Sequence, residues 1–285
     1  MTTNAAKLAP RTIHVAHSPD SDDAFMFYAL AEGKIDTEGL TYVHELQDIE
    51  TLNQRALRGE LEVTAVSIHA YAYLSDRYAL LPHGASMGDR YGPRLVATRP
   101  TTRAEVRGKR IAIPGPLTSA YLAMRLYEPD FEAVFVHFDQ IEEAVLSGTV
   151  DLGLLIHESQ LTFQDSGLHL VVDMGEWWYQ ETGLPLPLGG NVVRKDLGEP
   201  LIRVVSKHLR ASIAYGLNNR PAALAHAMQY ARGLDPAKAD AFVGMYVNEW
   251  TLDYGARGRE AVRLFLQRGV DAGLIPVPVH VEFAD

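Results

Sequence analysis

The stretch ALRGELEVTAVSIHA at residues 56–70 is echoed by VLSGTVDLGLLIHES at 145–159. Each passes from a helix end through a glycine and an acidic residue into an apolar run, and each closes on a histidine. The interval from glycine to histidine is ten residues in the first (Gly59 to His69) and nine in the second (Gly148 to His157), a likeness of design rather than a strict repeat. Short apolar runs bounded by glycine and polar residues read as buried strands. Two α/β units that each aim a polar loop off a strand end are what a two-lobed cleft protein requires, because ligands of open α/β sheets sit off the carboxyl ends of strands.

Outward from these two stretches, strand and helix signals alternate along the chain, which predicts an α/β fold. A strand at 12–16 leads through HSPDSDD into a helix over about 22–32, where Ala24, Phe27, Tyr28 and Ala31 form an i, i+3, i+4, i+7 stripe. A strand at about 40–46 and a helix bearing Ile49, Leu52, Asn53 and Ala56 follow, then the strands EVTAVS (62–67) and PRLVAT (93–98). From 100 to about 187 the pattern recurs, with a helix-like TTRAEVRG, a strand and turn in KRIAIPGP, a helix in LTSAYLAMRLYEP, and strands at AVFVHF and DLGLLI. WWYQETGLPLPLGG (177–190) reads as a connection, NVVRKD as a short strand, and the last ~90 residues as mainly helical. If PRLVAT and NVVRKD are the crossing strands, residues 1–99 and 188–285 make a discontinuous large lobe and 100–187 an inserted small one.

The totals narrow the function. With 285 residues and 47% hydrophobic content the chain fills one large or two medium domains, and no apolar run approaches the ~18 residues of a membrane span. Lys and Arg total 26 against 36 Asp and Glu, a balance of −10 that argues against a nucleic-acid surface. Any anionic ligand must therefore be held by local donors. Cysteine is absent, which removes disulfides, thiolate metal sites and a catalytic thiol. MTTNAAKLAPRT at the N-terminus has no hydrophobic signal core and reads as a short frayed leader, so a cytoplasmic enzyme or binding protein is expected.

Four stretches carry candidate chemistry. In HSPDSDDAFMF, Ser18 or Ser21 can cap the following helix with Asp22 and Asp23 in its first turn; alternatively His17 and Ser18, at a strand's carboxyl end, line the cleft. A metal site built from these acids is rejected, because adjacent carboxylates diverge on a helix. In IPGPLTSAYLAMRLY, Thr118 and Ser119 precede a helix whose free N–H groups suit a carboxylate, although plain N-capping accounts for them equally. Arg94, beside a Gly-Pro turn, offers a guanidinium to the same anion. His157–Glu158 follows a strand in the inserted segment, and Ser67 and His69 hold the matching place in the first. A histidine at a strand end is more often structural than catalytic. Here no GxSxG motif competes with it, and HExxH would need histidine at Leu161.

Taken together, HSPDSDDAFMFYALAEGKID, LRGELEVTAVSIHAYAYLSDRYALL, GPLTSAYLAMRL and DLGLLIHESQLTF resemble the futalosine-pathway menaquinone biosynthesis family over about 12–275, and within it the dihydroxynaphthoate synthase branch. The resemblance implies a two-lobed, periplasmic-binding-protein type II-like fold. It also implies a cytoplasmic lyase that converts cyclic dehypoxanthinyl futalosine to 1,4-dihydroxy-6-naphthoate without metal or organic cofactor. The family's catalytic histidine, in its IHE motif, matches His157, and Thr118, Ser119, Ser67, His69, Ser18 and Arg94 fall to the site of a small-molecule carboxylate substrate. Chorismate dehydratase, which shares the fold, typically carries Gly-Asp where this chain has His157–Glu158. The first loop reads SPDSDD here, whereas many synthases read SPCPND. A non-catalytic binder of a small acid is the reading from a different class, and the missing signal core and lipobox cysteine weigh against it.

Overall fold

The computed structural model describes residues 11–231 and 234–285. All but the last two residues of the leader expected at 1–12 lie outside the described residues. Strands β1 (Arg11–His17), β2 (Leu40–Leu46), β3 (Val63–Ser67), β4 (Tyr78–Leu80) and β5 (Ser86–Gly88) belong to a first sheet. Strands β6 (Arg94–Ala97), β7 (Arg110–Ile113), β8 (Glu132–Phe135), β9 (Leu152–Leu155) and β10 (His169–Asp173) make a second, and β11 (Leu186–Arg194) returns to the first. The first sheet runs β2-β1-β3-β11-β4 with β5 also on β11; the second runs β10-β6-β9-β7-β8. In each, the strands linked through helices pair in parallel: β1 with β2 and β3, and β7 with β8 and β9. The architecture is two-lobed α/β, with β11 and β6 joining their sheets antiparallel.

Two sequence expectations shift. The PRLVAT strand, read as the last piece of the first lobe, pairs with β9 and β10 (Arg94 opposite Leu155 and Asp173), so the chain changes sheets before this strand, between Gly88 and Arg94. The 177–190 connection is half helix, Met174–Thr182, and half strand, since β11 starts at Leu186. Pro187 sits where the β11–β5 register slips, a place where a missing N–H costs no ladder bond.

The helix Ser21–Ala31 departs from the expected single stripe. Phe25 and Met26 are as buried as Ala24 and Phe27, while Ala31 is exposed. It is apolar nearly all round because helices Glu199–Asn218, Arg220–Ala227 and Pro236–Tyr246 enclose it. The largest core cluster joins both sheets, running from Leu80 and Val192 to Ile111 and Leu152 through Trp178 and Phe265. Trp178 is fully buried, meets Phe265 edge-on at 5.3 Å and donates its indole N–H to the Pro185 carbonyl at 3.2 Å. Trp178→Ala is expected to cost about 3–5 kcal/mol, read as a fall in the urea midpoint of unfolding. Among the described residues no helix is long and apolar enough to cross a membrane.

Candidate active site

A pocket with an empty volume of about 750 Å³ opens between the lobes, at the carboxyl ends of β1 and β3 on one side and in the turns after β7 and β9 on the other. Ser18, Ser67, Thr118, Ser119 and His157 line it together. Their sequence positions run from 18 to 157, so the doubly split topology is what gathers them.

His157 stands one residue beyond the Ile156 that ends the apolar run, with φ at 55°. Left-handed backbone is open to glycine and costs a histidine of order 1 kcal/mol or more. The strain directs the imidazole into the wall of the pocket, where Nδ1 lies 2.9 Å from Asp20 Oδ2 and the ring meets Phe138 edge-on at 4.6 Å. Burial by itself lowers the imidazole's affinity for a proton. The Asp20 carboxylate, with Glu158 and Asp22 behind it, more than reverses that and holds the pKa up at about 9. The resting ring therefore carries a proton at neutral pH.

Asp20 occupies the N-cap position of helix Ser21–Ala31, yet its side chain does not cap the helix. An aspartate at this position ordinarily contributes about 1 kcal/mol to the helix through its cap. Here the carboxylate, 1% exposed, is turned across the cleft to His157 instead. The neighbouring acids are held apart from it: Asp23 accepts from the Ser18 N–H at 2.7 Å and hydroxyl at 2.9 Å, and Asp22 faces the pocket. Burial and the nearby Asp20 raise Asp23 to about 6, and burial with Asp23 and Asp20 raises Asp22 well above the usual carboxylate range. Ser21 donates to Glu158 Oε1 at 3.4 Å, a second contact from this loop to the turn that carries His157.

On the opposite side, the Thr118 hydroxyl donates to the Gly115 carbonyl at 2.9 Å and caps the Tyr121 N–H at 3.2 Å; the Ser119 hydroxyl donates to the Leu188 carbonyl at 2.6 Å. Both hydroxyl protons are thus committed within the protein. Donors for a carboxylate are better sought in the Ser119 and Ala120 N–H groups that open helix Ser119–Tyr127, since the next two, of Tyr121 and Leu122, are taken by Thr118. Ser67, also on the pocket, is fixed by a two-way exchange with Asn53: its N–H donates at 2.9 Å and its hydroxyl accepts at 3.1 Å.

Two expected residues sit behind the pocket. His69 directs Nδ1 at the Thr118 carbonyl (3.3 Å) and its own N–H at Ser119 Oγ (3.1 Å), and burial lowers its pKa to about 4. It braces the anion-facing turn. Arg94 pairs with Asp173 at 3.3 Å and donates to the Gln160 carbonyl at 2.6 Å, so it braces the turn after His157 and does not face the pocket. His17 also turns away, stacking on Phe27 at 4.4 Å and meeting His44 at 3.1 Å. Sequence reasoning missed Asp20 as a partner for His157, as well as Gln160, Tyr246 and Asn191 on the pocket wall. The DSDD run was visible, but it read equally well as a helix start.

Comparison with known proteins fits this geometry. Residues 13–271 match the family model described as menaquinone biosynthesis. The chain belongs to the menaquinone biosynthesis family. A Streptomyces coelicolor relative, 1,4-dihydroxy-6-naphthoate synthase, is 41% identical over 271 residues, covering 93% of this chain and 95% of the relative. Family membership makes the chain a biosynthetic enzyme. A solved Archaeoglobus fulgidus protein superposes with a TM-score of 0.85 at 46% identity, over 92% of this chain and 98% of that one. An alkanesulfonate-binding protein of Xanthomonas axonopodis superposes at 0.70 with 15% identity, over 96% and 97% of the two chains. The fold is that of the periplasmic binding proteins.

Proposed function

We propose that this family member is a 1,4-dihydroxy-6-naphthoate synthase: a cytoplasmic carbon–carbon lyase that acts on cyclic dehypoxanthinyl futalosine without metal or organic cofactor. One observation carries the reading. A histidine in the left-handed backbone region, where the sister dehydratase typically has glycine, is held 2.9 Å from a buried aspartate in the wall of the cleft. Asp20 fixes the ring through Nδ1, which leaves Nε2 as the atom that takes the proton.

In this mechanism the substrate carboxylate binds at the first turn of helix Ser119–Tyr127, away from the acidic loop. Deprotonated His157 removes a proton from the bound ring system and starts its collapse toward the aromatic product. Aromatisation supplies much of the driving force, so the protein's share is one base, orientation and a dry pocket. Asp22, whose carboxyl burial and the neighbouring acids push well above the usual carboxylate range, faces the same pocket. The lobes close about the segments joining the two sheets, 89–93 and 174–185. Glu50 Oε2 accepts from the Leu117 N–H at 3.2 Å, a contact between the two sides of the cleft that closure would keep.

The test is incubation of purified protein with cyclic dehypoxanthinyl futalosine and, separately, with chorismate. Dihydroxynaphthoate from the first supports the reading. An enolpyruvyl benzoate from the second, or binding of either compound without turnover, overturns it.

A further inference from the structure

One wall of the pocket is a face of the first sheet. The register sets Gly189 opposite Ser67 and Asn191 opposite Ala65, so these four share one face. Glycine and alanine leave the space open, and Asn191 is the long polar side chain at its edge. It is 1% exposed. Its Nδ2 donates to the Gly84 carbonyl at 3.1 Å and lies 3.5 Å from the Met26 sulfur. Flipping the amide would set oxygen against the Gly84 carbonyl, acceptor against acceptor, so the orientation is fixed by chemistry. The close approach also needs Gly84 itself, at φ +85°, because a Cβ there would collide with Nδ2.

That fixed amide leaves Oδ1 buried with no hydrogen-bond partner among the described residues. Buried acceptors are nearly always satisfied, and one left without a donor is destabilising. Neither the proton chemistry at His157 nor the anion site at Ser119 uses it. A rigid acceptor in a ligand pocket selects for a donor and repels another carboxylate or carbonyl oxygen.

We propose that Asn191 is a specificity-determining residue whose Oδ1 accepts a hydrogen bond from an alcohol hydroxyl of the substrate. The inference rests on the synthase reading above and adds to it a second polar anchor, separate from the carboxylate.

The test measures kcat/KM for cyclic dehypoxanthinyl futalosine and for analogues in which one hydroxyl at a time is replaced by hydrogen. It uses wild type and Asn191→Leu, which is close in shape and lacks the acceptor. With wild type, one analogue is expected to lose about 10²-fold or more, because it strands the buried oxygen. In Asn191→Leu that penalty is expected to shrink to within about threefold, a change that a purely structural role would not produce. Turnover of the parent compound by wild type, with every analogue within about threefold, overturns the inference while leaving the synthase reading intact. An equal penalty in both proteins also overturns it. If Asn191→Leu does not fold, Asn191→Ala takes its place and is judged by the same criterion. No turnover of the parent by wild type overturns the synthase reading and this inference with it.

Discussion

Replacing His157 by glutamine is expected to lower kcat on cyclic dehypoxanthinyl futalosine by about 10²- to 10⁴-fold, the range supplied by a positioned general base. Glutamine keeps an N–H for Asp20 and tolerates the exposure and volume of the site, but it cannot take a proton in this pH range. KM should change far less than kcat, because the carboxylate is held on the other side of the pocket by the turn at Thr118 and Ser119. Far-UV circular dichroism of the variant separates lost chemistry from lost fold. A kcat within about tenfold of wild type would remove His157 from the role of base, since that is less than such a group contributes.

Asp20→Asn is the second large effect, and it has two parts. The amide no longer holds Nδ1–H of the imidazole in one tautomer, so the high-pH plateau of kcat should fall by about 10²-fold or more. The pH at which the rate rises should also move. In the wild type the His157 pKa is held at about 9, and removing the dominant attractive charge leaves burial opposed only by Glu158 and Asp22. The rising limb is expected to shift to lower pH, toward the 6.5 of a free imidazole. A variant with the wild-type limb and a lowered plateau would assign Asp20 to orientation without charge.

The same pair ties stability to pH in the opposite sense. His157 has a folded value of about 9, above the 6.5 of the unfolded chain, so the pair stabilises fully below pH 6.5 and its contribution is lost as pH rises through about 9. Turnover needs the deprotonated ring. Between these limits the enzyme gains rate as it gives up this part of its stability. Asp23 acts in a lower window: raised to about 6, it favours the folded state below pH 3.8 and loses that effect as pH climbs past 6.

The two echoed stretches at 56–70 and 145–159 made the lobes legible, since β3 and β9 lie where the apolar runs said and both end at the cleft. The short strands β4 and β5 and the β6 assignment were not legible. Three- and four-residue strands carry too little periodicity, and which sheet a strand joins depends on partners distant in the chain. His157 stood out through its motif. Its partner did not, because Asp20 lies at a helix start where aspartate is ordinary, and only the crossing of the lobes brings the two together. Arg94 shows the converse: a guanidinium beside a Gly-Pro turn looks like an anion clamp, but the antiparallel pairing of β6 with β10 sets it against Asp173.

The most direct measurement of the central claim is the pH dependence of kcat/KM for the wild-type enzyme on cyclic dehypoxanthinyl futalosine. Because this ratio reports groups in the free enzyme, it is expected to rise with pH as one proton is lost, with an apparent pKa near 9 set by His157 beside Asp20. A profile that is flat or falling between about pH 6 and 10 would contradict proton abstraction by this histidine.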